Sequence, residues 1–260
     1  MFTKDDVFSD LFAQRDNLVT GIEPRTKIVF VAIGLLINLL SSTVYTPVGI
    51  ALVSLITLLA IKIPPKLILL RLTMPLVMAF VVLITQILFY GTTPLFILPF
   101  WGLHLVGYQE GLAHGFLIMW RVIAGVLLIL FLTMSTPAHR LFLAASWFKV
   151  PKIFIELALL VYRYIFVLVE EAATMRDAQK LRLGYYNWSH SMKALGILGG
   201  SLILRAYDRA ERVFAAMLAR GYTGTMTIDY QPRFGKKDYL VACCLGLTLA
   251  ALYLVGRIKG

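Results

Sequence analysis

The chain has almost no cysteine and little charge. Its only two cysteines, Cys243 and Cys244, are adjacent and sit in an apolar run. Such a pair reads as small buried apolar residues and gives neither a disulfide framework nor a metal cage. Charged residues make up 15% of the 260 positions, whereas a soluble domain carries about 25%. Hydrophobic residues reach 59% and the mean hydropathy is +0.80, which excludes an ordinary soluble domain. Acidic residues are scarce as well, 14 against 25 Lys and Arg, for a net charge of +11. In a soluble protein that imbalance points to nucleic acid. In a membrane protein it marks cations retained on the cytoplasmic side, so no nucleic-acid partner is expected. No G-x-x-x-x-G-K-[ST] loop is present, and Gly199, Gly200 and Gly224 lack that frame, so the chain is not expected to bind ATP. No repeat of 20–50 residues is visible. The opening MFTKDDVFSDLFAQRD carries acidic residues and no early apolar core, and no cleaved signal peptide is expected from it.

What is present is a series of apolar runs. Phe8, Leu11 and Phe12 have helical spacing and suit an interfacial amphipathic turn. Arg25 and Lys27 then stand at the mouth of a first span, Ile28 to Val44, in which Asn38 is expected to hydrogen-bond to a neighbouring helix. Val48 to Ile61 is a second span. A basic, Pro-broken segment from Lys62 to Arg71 precedes a third, Met74 to Tyr90. Residues 91–114 read as a loop on the membrane surface with a short hairpin or re-entrant piece. Gly115 to Met134 is a fourth span, with Arg121 near one end, and Tyr239 to Val255 is a last one.

The expected class is therefore an all-α integral membrane protein of about five transmembrane helices with a coupling region of long helices. It divides into a membrane part (1–136), cytoplasmic coupling helices (137–238) and a last transmembrane helix (239–260). Segments 1–27, 62–73 and 137–238 hold 22 of the 25 cations, while 43–47 and 91–114 hold none. The positive-inside rule places the N-terminus and the long basic region in the cytoplasm. Arg257 and Lys259 oppose an outside C-terminus but are outnumbered.

Ile153 to Val169 is nearly as apolar as a span and contains Glu156 and Arg163, seven apart. Each charge at the bilayer centre costs ~2.5–3.5 kcal/mol on insertion scales, which favours an interfacial or cytoplasmic helix. A hairpin through the bilayer with Ala194 to Leu204 is the alternative. From Pro151 a helix can run to Leu183, with Gly184 after its end, and a second runs from about Ser189 to Arg220. On the second, Ala206, Ala210, Val213, Phe214, Met217 and Leu218 form one apolar face. Asp208 and Arg212, four apart, are spaced for a local ion pair, and Glu170 and Glu171 read as a solvated face. Gly221 is placed to close the second helix in a left-handed turn.

Each long helix thus ends in an exposed Arg, Arg182 or Arg220. A C-terminal Arg is favoured by the helix dipole alone, by ~0.3–1 kcal/mol. Two of them on successive helices mark docking sites, because guanidinium forks onto carboxylates and carbonyls. Leu181, Leu183, Met217 and Ala219 are the apolar flanks.

These features resemble the transmembrane T component of energy-coupling factor transporters, most closely the cobalt/nickel CbiQ branch. That family carries two Ala-Arg-Gly-type motifs at the ends of two coupling helices. The second is matched by Ala219-Arg220-Gly221. In the first, Leu181-Arg182-Leu183 keeps only the Arg, and Gly184 stands one place late. The family's Pro-Arg-Thr-Lys start is matched by Pro24-Arg25-Thr26-Lys27. The resemblance implies a mechanical coupler without cofactor or catalysis. It would join two cytoplasmic ATP-binding cassette subunits, docked at the two tips, to a separate substrate-binding membrane subunit in the bilayer. The substrate would be cobalt or nickel, or a vitamin in the runner-up form.

Other charged and histidine positions are secondary. Arg25, Lys27, Arg121, Glu156 and Arg163 are structural or partner contacts, with Arg121 expected to snorkel to headgroups or meet another subunit. His104, His114, His139 and His190 have neither mutual i,i+4 spacing nor a joining carboxylate, and no metal site is expected. An intramembrane enzyme would need a catalytic set inside the spans, which offer only Asn38, Gln86 and Arg121. A self-contained carrier would need polar midplane groups and broken helices, which are sparse.

Overall fold

The computed structural model describes residues 22–61, 63–100 and 103–224, with a few positions between 246 and 254. The amphipathic turn expected at Phe8 to Phe12, most of the last span and Arg257 and Lys259 lie outside the described residues. Two compact units are formed. The first comprises the described residues up to 141 with the few between 246 and 254, and the second the described residues 142–224.

The first unit contains α1 (Pro24–Leu40), α2 (Tyr45–Ala60), α3 (Pro65–Phe89), a β-hairpin of β1 (Pro94–Phe100) and β2 (Leu103–Tyr108), and α4 (Gln109–Ser135). Proline opens α1 and α3 at their first turn, where its missing N–H costs no helical bond. The basic segment before the third span is not a separate break. α3 begins at Pro65 and carries Lys66, Arg71 and Pro75 within one helix of 25 residues. An internal proline frees a carbonyl one turn back, which membrane helices tolerate through local adjustment and neighbouring groups.

The loop expected at 91–114 resolves into the antiparallel hairpin, paired from Pro94↔Tyr108 to Phe100↔Leu103, and the first turns of α4. α4 therefore starts six residues before the expected span. It stops at Ser135 because Pro137 forces Thr136 into an extended conformation, φ −141° and ψ 122°.

Packing centres on α4. Ala124, Leu128 and Phe131 meet Phe30 and Val31 of α1, Ile50 and Leu58 of α2 and Ile68 of α3 in one buried cluster. Phe30 and Phe131 meet edge to face at 6.1 Å. Between α3 and α4 the backbones nearly touch. A Cβ built on Gly111 would lie 2.3 Å from the Gln86 carbonyl oxygen, so only glycine permits this approach.

The outward surface is apolar. Met74, Val77, Met78, Phe80 and Phe89 of α3 are all more than half exposed. α3 and α4 are long and apolar enough to cross a membrane. An apolar exterior around a packed interior is the arrangement lipid selects.

The second unit is built on α6 (Lys152–Leu181) and α7 (Trp188–Ala219), preceded in the chain by α5 (Ala138–Ala145) and a short 3₁₀ turn, Ser146–Phe148. At 30 and 32 residues and ~1.5 Å per residue, each long helix extends about 45 Å. Both of the apolar stretches considered for a bilayer hairpin belong to these two continuous helices.

Candidate functional site

α6 and α7 pack antiparallel, and this decides where their tips lie. Near the turn, Gln179 Nε2 donates to the Ala194 carbonyl at 3.0 Å. Further along, Arg209 pairs with Glu171. At the far end, Leu157, Leu160 and Tyr164 of α6 face Val213, Phe214 and Met217 of α7 across a groove of about 330 Å³. Of the expected apolar face of α7, Ala206, Ala210, Val213, Phe214 and Met217 line this groove, whereas Leu218 is exposed. The C-terminus of α6 and the C-terminus of α7 consequently lie at opposite ends of the pair.

The cross-helix ion pair changes two sequence expectations. Arg209 is bound to Glu171, so Glu171 is not simply a solvated residue. Among the described residues, this is the ion pair of α7, in place of the local Asp208–Arg212 pair expected from spacing.

The two tips share one backbone geometry. Arg182 follows the last residue of α6, and the Leu183 N–H donates to the Lys180 carbonyl at 3.0 Å, the Gly184 N–H to the Gln179 carbonyl at 2.9 Å. Arg220 follows the last residue of α7. There the Gly221 N–H donates to the Leu218 carbonyl at 3.0 Å and the Tyr222 N–H to the Met217 carbonyl at 3.1 Å. Each is the double-bonded C-terminal cap in which two orphan carbonyls are satisfied and the residue after the cap turns left-handed. Gly221 takes that position with φ 84°, as expected. In α6 it falls to Leu183, φ 56°, rather than to Gly184.

The displaced glycine has its own cause. A Cβ on Gly184 would lie 3.0 Å from the Gln179 carbonyl oxygen that its N–H engages. Gln179 braces the whole turn: besides Ala194, its Oε1 accepts from the Tyr185 hydroxyl at 2.8 Å. A non-glycine residue in this conformation costs roughly 1–2 kcal/mol. Leu183→Gly should thus strengthen the first cap by about 1 kcal/mol, and Gly221→Val should weaken the second by a comparable amount. Hydrogen exchange at the cap amides of residues 184 and 222 is the measurement. Faster exchange at residue 184 in Leu183→Gly would contradict the strain assignment.

Arg182 and Arg220 are exposed. Among the described residues no ion pair or side-chain hydrogen bond holds either. The sequence-predicted set Leu181, Arg182, Leu183 and Ala219, Arg220, Gly221 is thus divided between two exposed ends of one helical pair.

The remaining charged residues separate by role. Lys27 is 1% exposed, and its Nζ donates to the Ser135 carbonyl at 2.9 Å and to Thr136 Oγ1 at 3.2 Å. Ser135 ends α4, so the ammonium sits on an orphan carbonyl at the negative end of that helix. Arg25 pairs with Glu23 at 3.6 Å. The Pro24-Arg25-Thr26-Lys27 sequence therefore joins the start of α1 to the end of α4, an interior role that the position of two cations before an apolar run did not reveal.

Arg121 is likewise turned inward: its Nη2 donates to the Ser41 carbonyl, and its own carbonyl accepts from Asn38 Nδ2 at 2.9 Å. The snorkelling expected of Arg121 is replaced by this link between α1 and α4, and the helix-to-helix bond expected of Asn38 is present. Glu156 is buried at 4% exposure, while the Arg163 guanidinium lies 6.0 Å from the centre of the Tyr164 ring.

Among the described residues no group of three or more His, Cys, Asp and Glu is gathered for a metal ion. One histidine does have a carboxylate nearby, contrary to the sequence reading. Glu110 and His114 line one pocket, where His114 stacks on Tyr90 at 4.8 Å and Glu110 accepts from the Thr92 N–H.

A packed helical unit with an apolar surface and two helices of membrane-crossing length, together with a unit of two long capped helices, defines a helical membrane protein. A sequence model of the cobalt transport protein family CbiQ matches residues 15–230, and the chain belongs to that family. An uncharacterized protein of Methanocaldococcus jannaschii is 32% identical over 213 residues, covering 82% of this chain and 80% of that one. A Methanocorpusculum labreanum chain named as a fused cobalt transport protein CbiMQ is 32% identical over 87% of this chain. It is longer, and the match spans 38% of it. The cobalt transport protein CbiQ of Rhodobacter capsulatus is 38% identical over 37% of this chain and 40% of its own length.

Proposed function

We propose that this chain is the coupling subunit of an energy-coupling factor importer for cobalt or nickel. Two cytoplasmic ATP-binding subunits each receive one tip, with Arg182 and Arg220 inserted into their grooves. Approach of the two ATPases on binding ATP moves α6 and α7. These in turn reorient a separate substrate-binding membrane subunit packed along their apolar faces. The N-terminus and residues 137–238 lie in the cytoplasm, while residues 1–136 supply four membrane spans and 239–260 the last. The chain itself performs no catalysis and holds no cofactor.

The observation that carries this reading is the repetition of one arginine-centred cap at opposite ends of an antiparallel pair. Two copies of one backbone shape, about 45 Å apart by helix length, suit two similar partners better than one. The family match to cobalt transport proteins and the fused CbiMQ relative support a membrane transport complex.

The test is co-purification in detergent with a tag on this chain. An ATP-binding subunit and a second membrane protein should come down with it, and cobalt or nickel should bind the second protein. A chain that purifies alone, stable and monodisperse, and transports metal in liposomes would make it a self-contained carrier instead.

A further inference from the structure

The junction between α5 and α6 carries an exposed apolar patch. Every residue from Ser146 to Phe154 is exposed, and Trp147, Phe148, Val150, Ile153 and Phe154 are each 36–61% exposed. The Trp147 and Phe148 rings meet edge to face at 5.1 Å and present one joined aromatic surface. Contiguous exposed apolar surface of this kind marks an interaction site.

Charge identifies what covers it. Lys149 and Lys152 are interleaved with the apolar residues, Arg140 precedes them on α5, and no Asp or Glu occurs from Pro137 to Ile155. Glu156, the first acidic residue beyond, is buried. Among the described residues neither lysine belongs to an ion pair. Lys149 is held in the left-handed region, φ 60°, where glycine would be unstrained. α6 then begins with no acidic residue in its first turn and no side-chain cap, so the positive end of its dipole adds to the same field. Aromatic rings beside lysines are the composition of a membrane–water interface. A cationic rim free of carboxylates complements the anionic headgroups of a cytoplasmic leaflet. The path of the chain agrees. α4 is of membrane-crossing length, and little more than α5, about 12 Å of helix, separates its end at Ser135 from the patch.

We propose that residues 146–154 form an anchor for anionic phospholipid. Trp147, Phe148 and Ile153 enter the boundary between headgroups and acyl chains, and Lys149 and Lys152 bind lipid phosphate. The inference rests on the cytoplasmic placement of residues 137–238 proposed above and needs no docked ATPase. Under the coupling reading the anchor has a mechanical use. It holds the start of α6 at the bilayer surface, while the far end of that helix, about 45 Å away by its length, stays free to move.

The experiment uses the full purified chain in nanodiscs of phosphatidylcholine with increasing phosphatidylglycerol, one of the two lipids being brominated high on its acyl chains. The Trp147 signal is the emission present in wild type and absent from Trp147→Phe. Brominated phosphatidylglycerol should quench it at low mole fraction, and brominated phosphatidylcholine at the same fraction should quench it much less. In Lys149→Gln/Lys152→Gln the phosphatidylglycerol fraction needed for half-quenching should rise about fivefold or more, as two cations near an anionic surface are lost. Both lysines are exposed, so their replacement leaves no cavity in the fold. The ATP-binding subunit should still co-purify with this variant.

Equal quenching by the two lipids would remove the headgroup recognition, and quenching by neither would take the patch out of the bilayer. Either result overturns the anchor and leaves the coupling reading standing. Loss of the ATP-binding subunit from the lysine variant with unchanged quenching would make the patch a protein contact and overturn the anchor as well. A wild-type chain that binds no ATPase yet shows the lipid preference would overturn the coupling reading and support the anchor.

Discussion

The double variant Arg182→Glu/Arg220→Glu is expected to lose nearly all ATPase association and metal uptake while reaching the membrane at wild-type levels. Both side chains are exposed and, among the described residues, take part in no ion pair, so the fold does not depend on their charge. The fold-level cost is the reversal of a favourable charge at a helix C-terminus, ~0.3–1 kcal/mol per tip before solvent screening. The interface cost is far larger. Breaking a desolvated, hydrogen-bonded charge across an interface costs roughly 2–5 kcal/mol, or about 30-fold to several thousand-fold in affinity. Each single variant leaves one tip engaged and should retain partial uptake. The measurement is radiolabelled cobalt or nickel uptake beside co-purified ATPase. Full uptake in the double variant would remove the docking role from both arginines.

Replacing Lys27 is expected to have the largest effect on stability of any single change at the sequence motifs. Its ammonium is enclosed and satisfies the terminal carbonyl of α4 and the Thr136 hydroxyl. Hydrogen bonds to charged groups contribute ~1.5–3 kcal/mol, and a buried acceptor left alone adds a desolvation penalty of ~1–3 kcal/mol. Lys27→Met keeps the side-chain length and isolates the loss of these bonds. Lys27→Arg keeps the charge but forces a larger head into a closed site, at a cost of ~1–3 kcal/mol. Both should lower the thermal midpoint in detergent, whereas Arg25→Ala, whose ion pair with Glu23 spans two residues of chain, should lower it less. An unchanged midpoint in Lys27→Met would mean that the bonds at Ser135 and Thr136 contribute nothing net.

One pocket of the first unit gathers a histidine and a carboxylate. Glu110 and His114 share it, yet Glu110 is engaged with Thr92 and His114 with the Tyr90 ring. Among the described residues these two exposed donors fall short of the three protein ligands that a firm transition-metal site uses.

Much of this protein is determined by residue order alone. Apolar runs of bilayer length, the surplus of Lys and Arg, the two long helical patterns and the Arg at each end are one-dimensional signals. They depend on period and composition, which the chain carries without folding. The left-handed position of Gly221 belongs to the same class, because only local backbone sterics are involved.

The tertiary structure decided the rest, in most cases through a contact between distant residues. The antiparallel pairing sets the two tips at opposite ends, since Gln179 meets Ala194 and Glu171 meets Arg209 across the pair. Leu183 takes the strained position because the Gly184 amide is drawn to within 2.9 Å of the Gln179 carbonyl. Lys27 and Arg121 look like interfacial cations in the sequence. They become interior ties once α4 supplies Ser135 to one and Asn38 and Ser41 of the first span's end reach the other. Periodicity states which face of a helix is apolar, but a carbonyl more than a hundred residues away is brought beside Lys27 only by packing.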